Sequence, residues 1–166
     1  MILKSTHLHQ PNDRFKMSTQ ISIQEFLSQK KLAVVDVSHT GKKFSNIVYK
    51  ELKAKGYQEF PVNPKGDNIL DERCYPNLQS LPEKVDGVLV ITKPVETEKV
   101  VREASSVGIQ KIWIQQGAES DEAIRFCKEQ NVNVIYGECI LMFAEPAAFF
   151  HRLHRGVWKL IGKYPK

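Results

Sequence analysis

The sequence predicts an α/β fold: a three-layer αβα sandwich around a mostly parallel sheet. Three observations carry this expectation. Short β-branched runs, such as Leu32-Ala-Val-Val-Asp-Val37 and Gly87-Val-Leu-Val-Ile91, are nearly continuous in apolar residues, as strands buried on both faces are. Segments with helical periodicity of 10 to 15 residues alternate with them, the pattern of βαβ winding. The 166 residues, 42% hydrophobic and 26% charged, suffice for one packed domain plus an arm or tail.

Residues 1–17 are polar, broken by Pro11, and read as a flexible arm. Ser22 with Glu25 reads as a capping box opening a helix over residues 23–29. Residues 32–37 form the first strand. A polar loop, Ser38 to Lys43, leads to a helix with apolar Ile47, Val48, Leu52 and Ala54, stopped by Gly56. Residues 57–62 alternate and read as a second strand, halted at Asn63-Pro64. The stretch 65–82 is rich in turn residues, with a short strand expected near Arg73 to Tyr75. Residues 85–92 form the third strand, and residues 95–107 a helix with Val100, Val101 and Ala104 inward and Gly108 as its stop. Lys111 to Gln115 is a strand. Ser120 opens a helix to about residue 130, and residues 132–136 are the last strand. The domain therefore spans residues 18–144, leaving 145–166 as a tail.

No apolar run approaches the roughly 20 residues that span a bilayer. The N-terminus lacks the apolar stretch of a signal peptide. Cys74, Cys127 and Cys139 are odd in number and show no CxxC spacing, which excludes a disulfide scaffold and a cysteine zinc knuckle. A reducing, cytoplasmic setting is expected. The formal charge of +5 lies largely in the tail, where Arg152, Arg155, Lys159, Lys163 and Lys166 meet no acid after Glu145. A nucleic-acid groove is not implied. The tail places Phe150, Leu153, Val157 and Ile161 at helical spacing, with Trp158 beside them. It is expected to pack on its own domain or across a homodimer; a membrane surface is the competing reading.

Ligands of open α/β sheets bind beyond the carboxyl ends of the strands. The first such end, Asp36 to Gly41, has one glycine and fails the GxGxxG dinucleotide pattern. It still leads to a helix N-terminus at Phe44-Ser45-Asn46, where free amides suit a phosphate, with Ser38, Lys42 and Lys43 at hand. A solvated turn with two surface lysines reads equally well. Asp36 is open to two readings, a base or a cap on the loop amides. The second end, Asn63-Pro64-Lys65, lacks the carboxylate that holds a free ribose diol and offers a lysine, favouring a ribose that carries a phosphate: coenzyme A or NADP. An Asn-Pro turn with an exposed lysine is the plain alternative. The remaining ends offer Thr92-Lys93-Pro94, Gln116-Gly117 and Cys139. No HExxH, GxSxG or P-loop pattern is present, and no catalytic or metal-binding set is assigned. Trp113 and Phe143 read as core or pocket wall.

Five stretches in order, AVVDVSHTGKKFSNIVYKELKAKGY, FPVNPK, RCYPNLQSLPEKVDGVLVITKP, VREASSVGIQKIWIQQGAESDEAI and GECILM, resemble the small stand-alone CoA-binding-domain proteins, the YccU-like group. That group is similar to the CoA-binding domain of the succinyl-CoA synthetase alpha subunit. The resemblance spans about residues 31–142 and implies a Rossmann-like domain. It further implies binding of coenzyme A or an acyl-CoA, a small-molecule ligand, by a non-catalytic or regulatory module; an NADP- or other nucleotide-dependent enzyme is the alternative. The chain departs from the family pattern at three positions. Asp36 stands where Gly is usual, Ser45 replaces the Gly of Phe-Gly-Asn, and Lys93 stands where Pro is common.

Overall fold

The computed structural model describes residues 19–66, 68–146, 156–157 and 159–160. Five strands, β1 (Lys31–Val35), β2 (Gln58–Val62), β3 (Gly87–Val90), β4 (Lys111–Gln115) and β5 (Asn133–Glu138), form one sheet in the order β2-β1-β3-β4-β5. Every pairing is parallel. Helices α1 (Gln20–Leu27), α2 (Phe44–Ala54), α3 (Pro94–Ser106) and α4 (Asp121–Glu129) cover it. The expected Rossmann-like α/β class is thus what the chain adopts.

Alternate strand residues feed two cores. Leu32, Val34, Leu89 and Trp113 pack with Phe26 of α1, Val48 and Leu52 of α2, and the turn at Ile140–Met142. Ala33, Val35, Val88, Val90, Ile112 and Ile114 pack on the other face with Val101, Ala104 and Ile124 of α3 and α4. The central strands are buried on both faces, hence their unbroken apolar runs. Gly87 marks the tightest contact. A Cβ there would lie 2.9 Å from the Phe26 ring, so only glycine lets β3 sit beneath α1.

Several boundaries move for physical reasons. Helix α1 starts earlier than expected, because Thr19 rather than Ser22 is its N-cap: Thr19 Oγ1 accepts from the Ser22 amide at 3.2 Å. Glu25 makes no capping box and instead accepts from Asn133 Nδ2 at 3.2 Å. Strand β1 stops at Val35 rather than Val37, because Asp36 turns to φ +73°. Strand β2 does not alternate; after exposed Gln58 every residue is buried. Pro61 is tolerated on this edge strand because its missing N–H faces outward, where its carbonyl accepts from Tyr75 at 2.9 Å. That bridge, Val62 to Tyr75, is what becomes of the short strand expected near Arg73. On α2 the buried face is Ser45, Asn46, Val48, Tyr49 and Leu52, whereas Ile47 is half exposed rather than inward. Strand β3 is shorter than expected, spanning Gly87–Val90.

Cys74, Cys127 and Cys139 are buried thiols that form no disulfide among the described residues, and burial pushes the Cys127 thiol up to about 12. Among the described residues no helix is long and apolar enough to cross a membrane. The arm, and Phe150, Leu153, Trp158 and Ile161 of the tail, lie outside the described residues.

Glu59 of β2 is buried under α2, and neither carboxylate oxygen has a hydrogen-bond partner among the described residues. Burial pushes its pKa to about 9 from an ordinary 4.5, against the pull of Lys53. Between these values the folded chain keeps a proton that the unfolded chain has released. Stability is therefore full below about pH 4.5 and falls as pH climbs toward about 9. Glu59→Gln removes that slope. The variant is expected to be more stable than wild type near neutral pH by on the order of 3 kcal/mol. Thermal melts from pH 5 to 9 check this: the gap in Tm should widen with pH.

Candidate functional site

The chain reverses its winding between β1 and β3. β1 leads through α2 to β2 on one flank, and β3 opens the other flank. Such a switch point leaves a crevice at the carboxyl ends of the strands. Here it is a cleft of about 510 Å³, walled by Val35, Asp36, Val62, Pro64, Thr92 and residues 76–79. Glu96, Lys99, Val100 and Glu103, one face of α3, close it. A smaller hollow of about 190 Å³, near Val85 and Gly108, lies at the opposite, amino end of β3 and β4.

The cleft is built by cross-ties between strand ends. Asn63, at the end of β2, donates from Nδ2 to the Val37 carbonyl at 3.0 Å and to Asp36 Oδ1 at 3.4 Å. Its Oδ1 accepts from the Lys65 amide at 3.1 Å. Asn46, 1% exposed, donates to the Ser38 carbonyl at 2.7 Å and accepts from the Lys43 amide at 3.2 Å. These bonds shape the loop from Ser38 to Lys43 and hold it over the start of α2. Ser38 Oγ lies 3.0 Å from Thr40 Oγ1 and accepts from the Thr40 amide at 3.3 Å. Thr92 Oγ1 lies 2.9 Å from Thr97 Oγ1, and Thr97 donates to the Ala118 carbonyl at 2.6 Å. Glu103 accepts from the Leu78 amide at 2.8 Å and fixes the far wall.

The helix starts divide into two kinds. α1 and α4 are capped by Thr19 and Ser120, whose hydroxyls accept from backbone amides. α2 and α3 begin at Lys43 and Lys93, neither of which makes a side-chain capping bond to its helix. A lysine adds positive charge where the helix dipole is already positive, an unfavourable arrangement unless an anion shares the space. Both lysines act on Asp36. Burial pushes the Asp36 carboxyl above its ordinary value; Lys43 opposes the rise, Glu96 adds to it and Lys93 opposes it.

The predicted site residues thus fall into two groups. Ser38, Lys42, Lys43, Phe44, Ser45, Asn46, Asn63, Pro64, Lys65, Thr92, Lys93 and Pro94 surround the β1/β3 switch, with Pro64 and Thr92 in the cleft wall. Lys42, Lys43, Lys65 and Lys93 are exposed, whereas Ser38, Ser45, Asn46, Asn63 and Thr92 are buried. Gln116, Gly117 and Cys139 sit instead at the ends of β4 and β5. There Glu119 accepts from the Gly117 amide at 2.7 Å and the Gly137 amide at 3.1 Å. Cys139 packs into the α1/α2 core. Next to it, Glu138 is 1% exposed, its oxygens have no hydrogen-bond partner among the described residues, and burial pushes its pKa to about 7. Sequence reasoning missed Glu96, Lys99 and Glu103, although their spacing of three and four residues past Pro94 places them on one helix face. It missed Asn77, Leu78 and Gln79 because a turn-rich loop carries no period.

A CoA binding domain model matches residues 30–145, and the chain belongs to that family. The chain is 30% identical over 123 residues to the uncharacterized protein YneT of Bacillus subtilis, covering 74% of this chain and 91% of YneT. A conserved hypothetical protein of Pyrococcus furiosus superposes with a TM-score of 0.64 at 38% identity, covering 67% of this chain and 96% of that one. Acetate–CoA ligase [ADP-forming] II of Archaeoglobus fulgidus is 32% identical over 103 residues, 60% of this chain but 15% of the ligase.

Asn46 is the tie whose removal reports on the loop. Asn46→Ala leaves the Ser38 carbonyl and Lys43 amide without their partner, at about 1–3 kcal/mol. Tm should fall by about 3–10 °C, read by calorimetry.

Proposed function

We propose that this chain binds coenzyme A or an acyl-CoA at the β1/β3 cleft, as a non-catalytic or regulatory module. The observation that carries the reading is the pair of helix starts at Lys43 and Lys93, each positive, without a hydroxyl cap, and acting on Asp36 of the cleft wall. Two dipole ends and two ammonium groups favour a diphosphate there. The Phe44 and Ser45 amides, at the start of α2, have no intrahelical partner and suit phosphate oxygens. Lys42 and Lys65 supply further positive charge on exposed loops, with Lys65 suited to a ribose phosphate. A cleft of this volume falls in the usual range for small-molecule sites.

The family match supports CoA over NADP as the ligand, and the NADP-dependent alternative is not favoured. The match to the ligase covers 15% of that enzyme and supports the binding part of the reading alone. Buried cysteine thiols suit a reducing compartment, which supports a cytoplasmic reading.

A competition titration tests the ligand. CoA should displace dephospho-CoA and NAD, with a charge-assisted phosphate contact worth roughly tenfold or more in affinity. Lys65→Ala should shrink the gap between CoA and dephospho-CoA. Lys42→Glu with Lys43→Glu should weaken CoA binding, more at low salt than at high salt. NADP bound more tightly than CoA would overturn the reading.

A further inference from the structure

Asp36 is the residue in the cleft that an anion-binding site would not be expected to carry. It ends β1 in the left-handed region at φ +73°, a conformation in which glycine is unstrained and other residues cost on the order of 1 kcal/mol or more. Its carboxylate lines the cleft beside Glu96 and is held by Asn63 Nδ2 at 3.4 Å. The charged groups that face it are Lys43 at the start of α2 and Lys93 and Glu96 at the start of α3. Lys99 and Glu103 stand further along the same wall, Asn63 on the β2 side is neutral, and His39 follows in its own loop.

We propose that Asp36 is the specificity-determining residue of this cleft: its carboxylate occupies the positive focus between the starts of α2 and α3, so an anionic nucleotide enters only as Asp36 takes up a proton from solvent. The inference rests on the CoA reading and adds a condition to it. With Asp36 charged, a phosphate arriving between Lys43 and Lys93 meets a like charge in a half-buried setting. With Asp36 neutral, both lysines are released to the ligand. Burial already favours the neutral form, and a bound anion favours it further. Binding coupled to proton uptake weakens as pH rises, between the pKa of Asp36 in the free protein and its higher value in the complex. Among nucleotides, those that place fewest negative charges at the β1 loop suffer least.

Calorimetric titration of CoA into the intact wild-type chain, Asp36→Asn and Asp36→Gly, at pH 5 and pH 8, decides the matter. Both variants are compatible with the backbone, since Asn and Gly accept positive φ. The titration of CoA itself is common to all three proteins and cancels in the comparison. Asp36→Asn and Asp36→Gly should each bind CoA at least about tenfold more tightly than wild type at pH 8, with a smaller gain at pH 5. In buffers of different ionisation enthalpy, wild type should take up more protons on binding than Asp36→Asn. Wild type binding CoA with the same pH slope as Asp36→Asn would overturn the Asp36 inference and leave the CoA reading standing. Binding by wild type that tightens with Mg²⁺, lost in Asp36→Asn, would also overturn it, because Asp36 would then be holding a cation bridge. No binding by any of the three proteins would overturn the CoA reading and this inference with it.

Discussion

The left-handed turn at Asp36 is the constraint on which the ligand edge depends. Up to Val35 the chain is a central strand, hydrogen-bonded on both sides and buried on both faces. One residue later it must leave the sheet without losing the bond from the Asp36 amide to the Val62 carbonyl, 2.9 Å long. A positive φ allows both. It ends the strand and aims the loop from Ser38 to Lys43 at the start of α2. Asn63 then locks the departure, bonding to Val37 and Asp36 from the end of the neighbouring strand. The cleft is the space left when β1 and β3 send their chains to opposite faces.

The helix ends show how the sequence distributes stability and function. α1 and α4 have hydroxyl caps that accept from their first-turn amides. α2 and α3 forgo such caps and carry lysine instead, a sacrifice of about 1 kcal/mol each. Local rules of helix stability are broken together at one place, and that place is the switch point of the sheet. Such coincident departures are expected at sites rather than in scaffolds.

Much of this was legible in the chain itself. Strand β4 has the same limits in sequence and structure because its apolar run ends at polar residues on both sides. Ser120 was readable as a cap because a hydroxyl precedes two acids and an alanine. The cap of α1 was not, since Ser22 with Glu25 fits the capping-box pattern and Thr19 does not, yet the fold uses Thr19. The end of β1 was illegible for a different reason: Val37 continues the apolar run and is buried, but Asp36 has already turned the backbone. In the cleft, lysines and asparagines announced themselves by residue type. The acids of α3 did not, because a charged helix face facing a cleft has the same spacing as one facing water. The burial of Glu59 could not be read either, since a carboxylate in an edge strand is ordinarily solvated.

Glu119 gives the ligand edge a direction. Its two oxygens engage the amides of Gly117 and Gly137, both at positive φ, at the ends of β4 and β5. Two converging amides of this kind would otherwise form a nest for an anion. The chain has filled that nest with its own side chain, so an incoming phosphate finds those donors already spent. A ligand of the kind proposed, elongated and charged at one end, would therefore lie across these strand termini in one sense, with its charged end toward α2 and α3 and its neutral end toward β4 and β5.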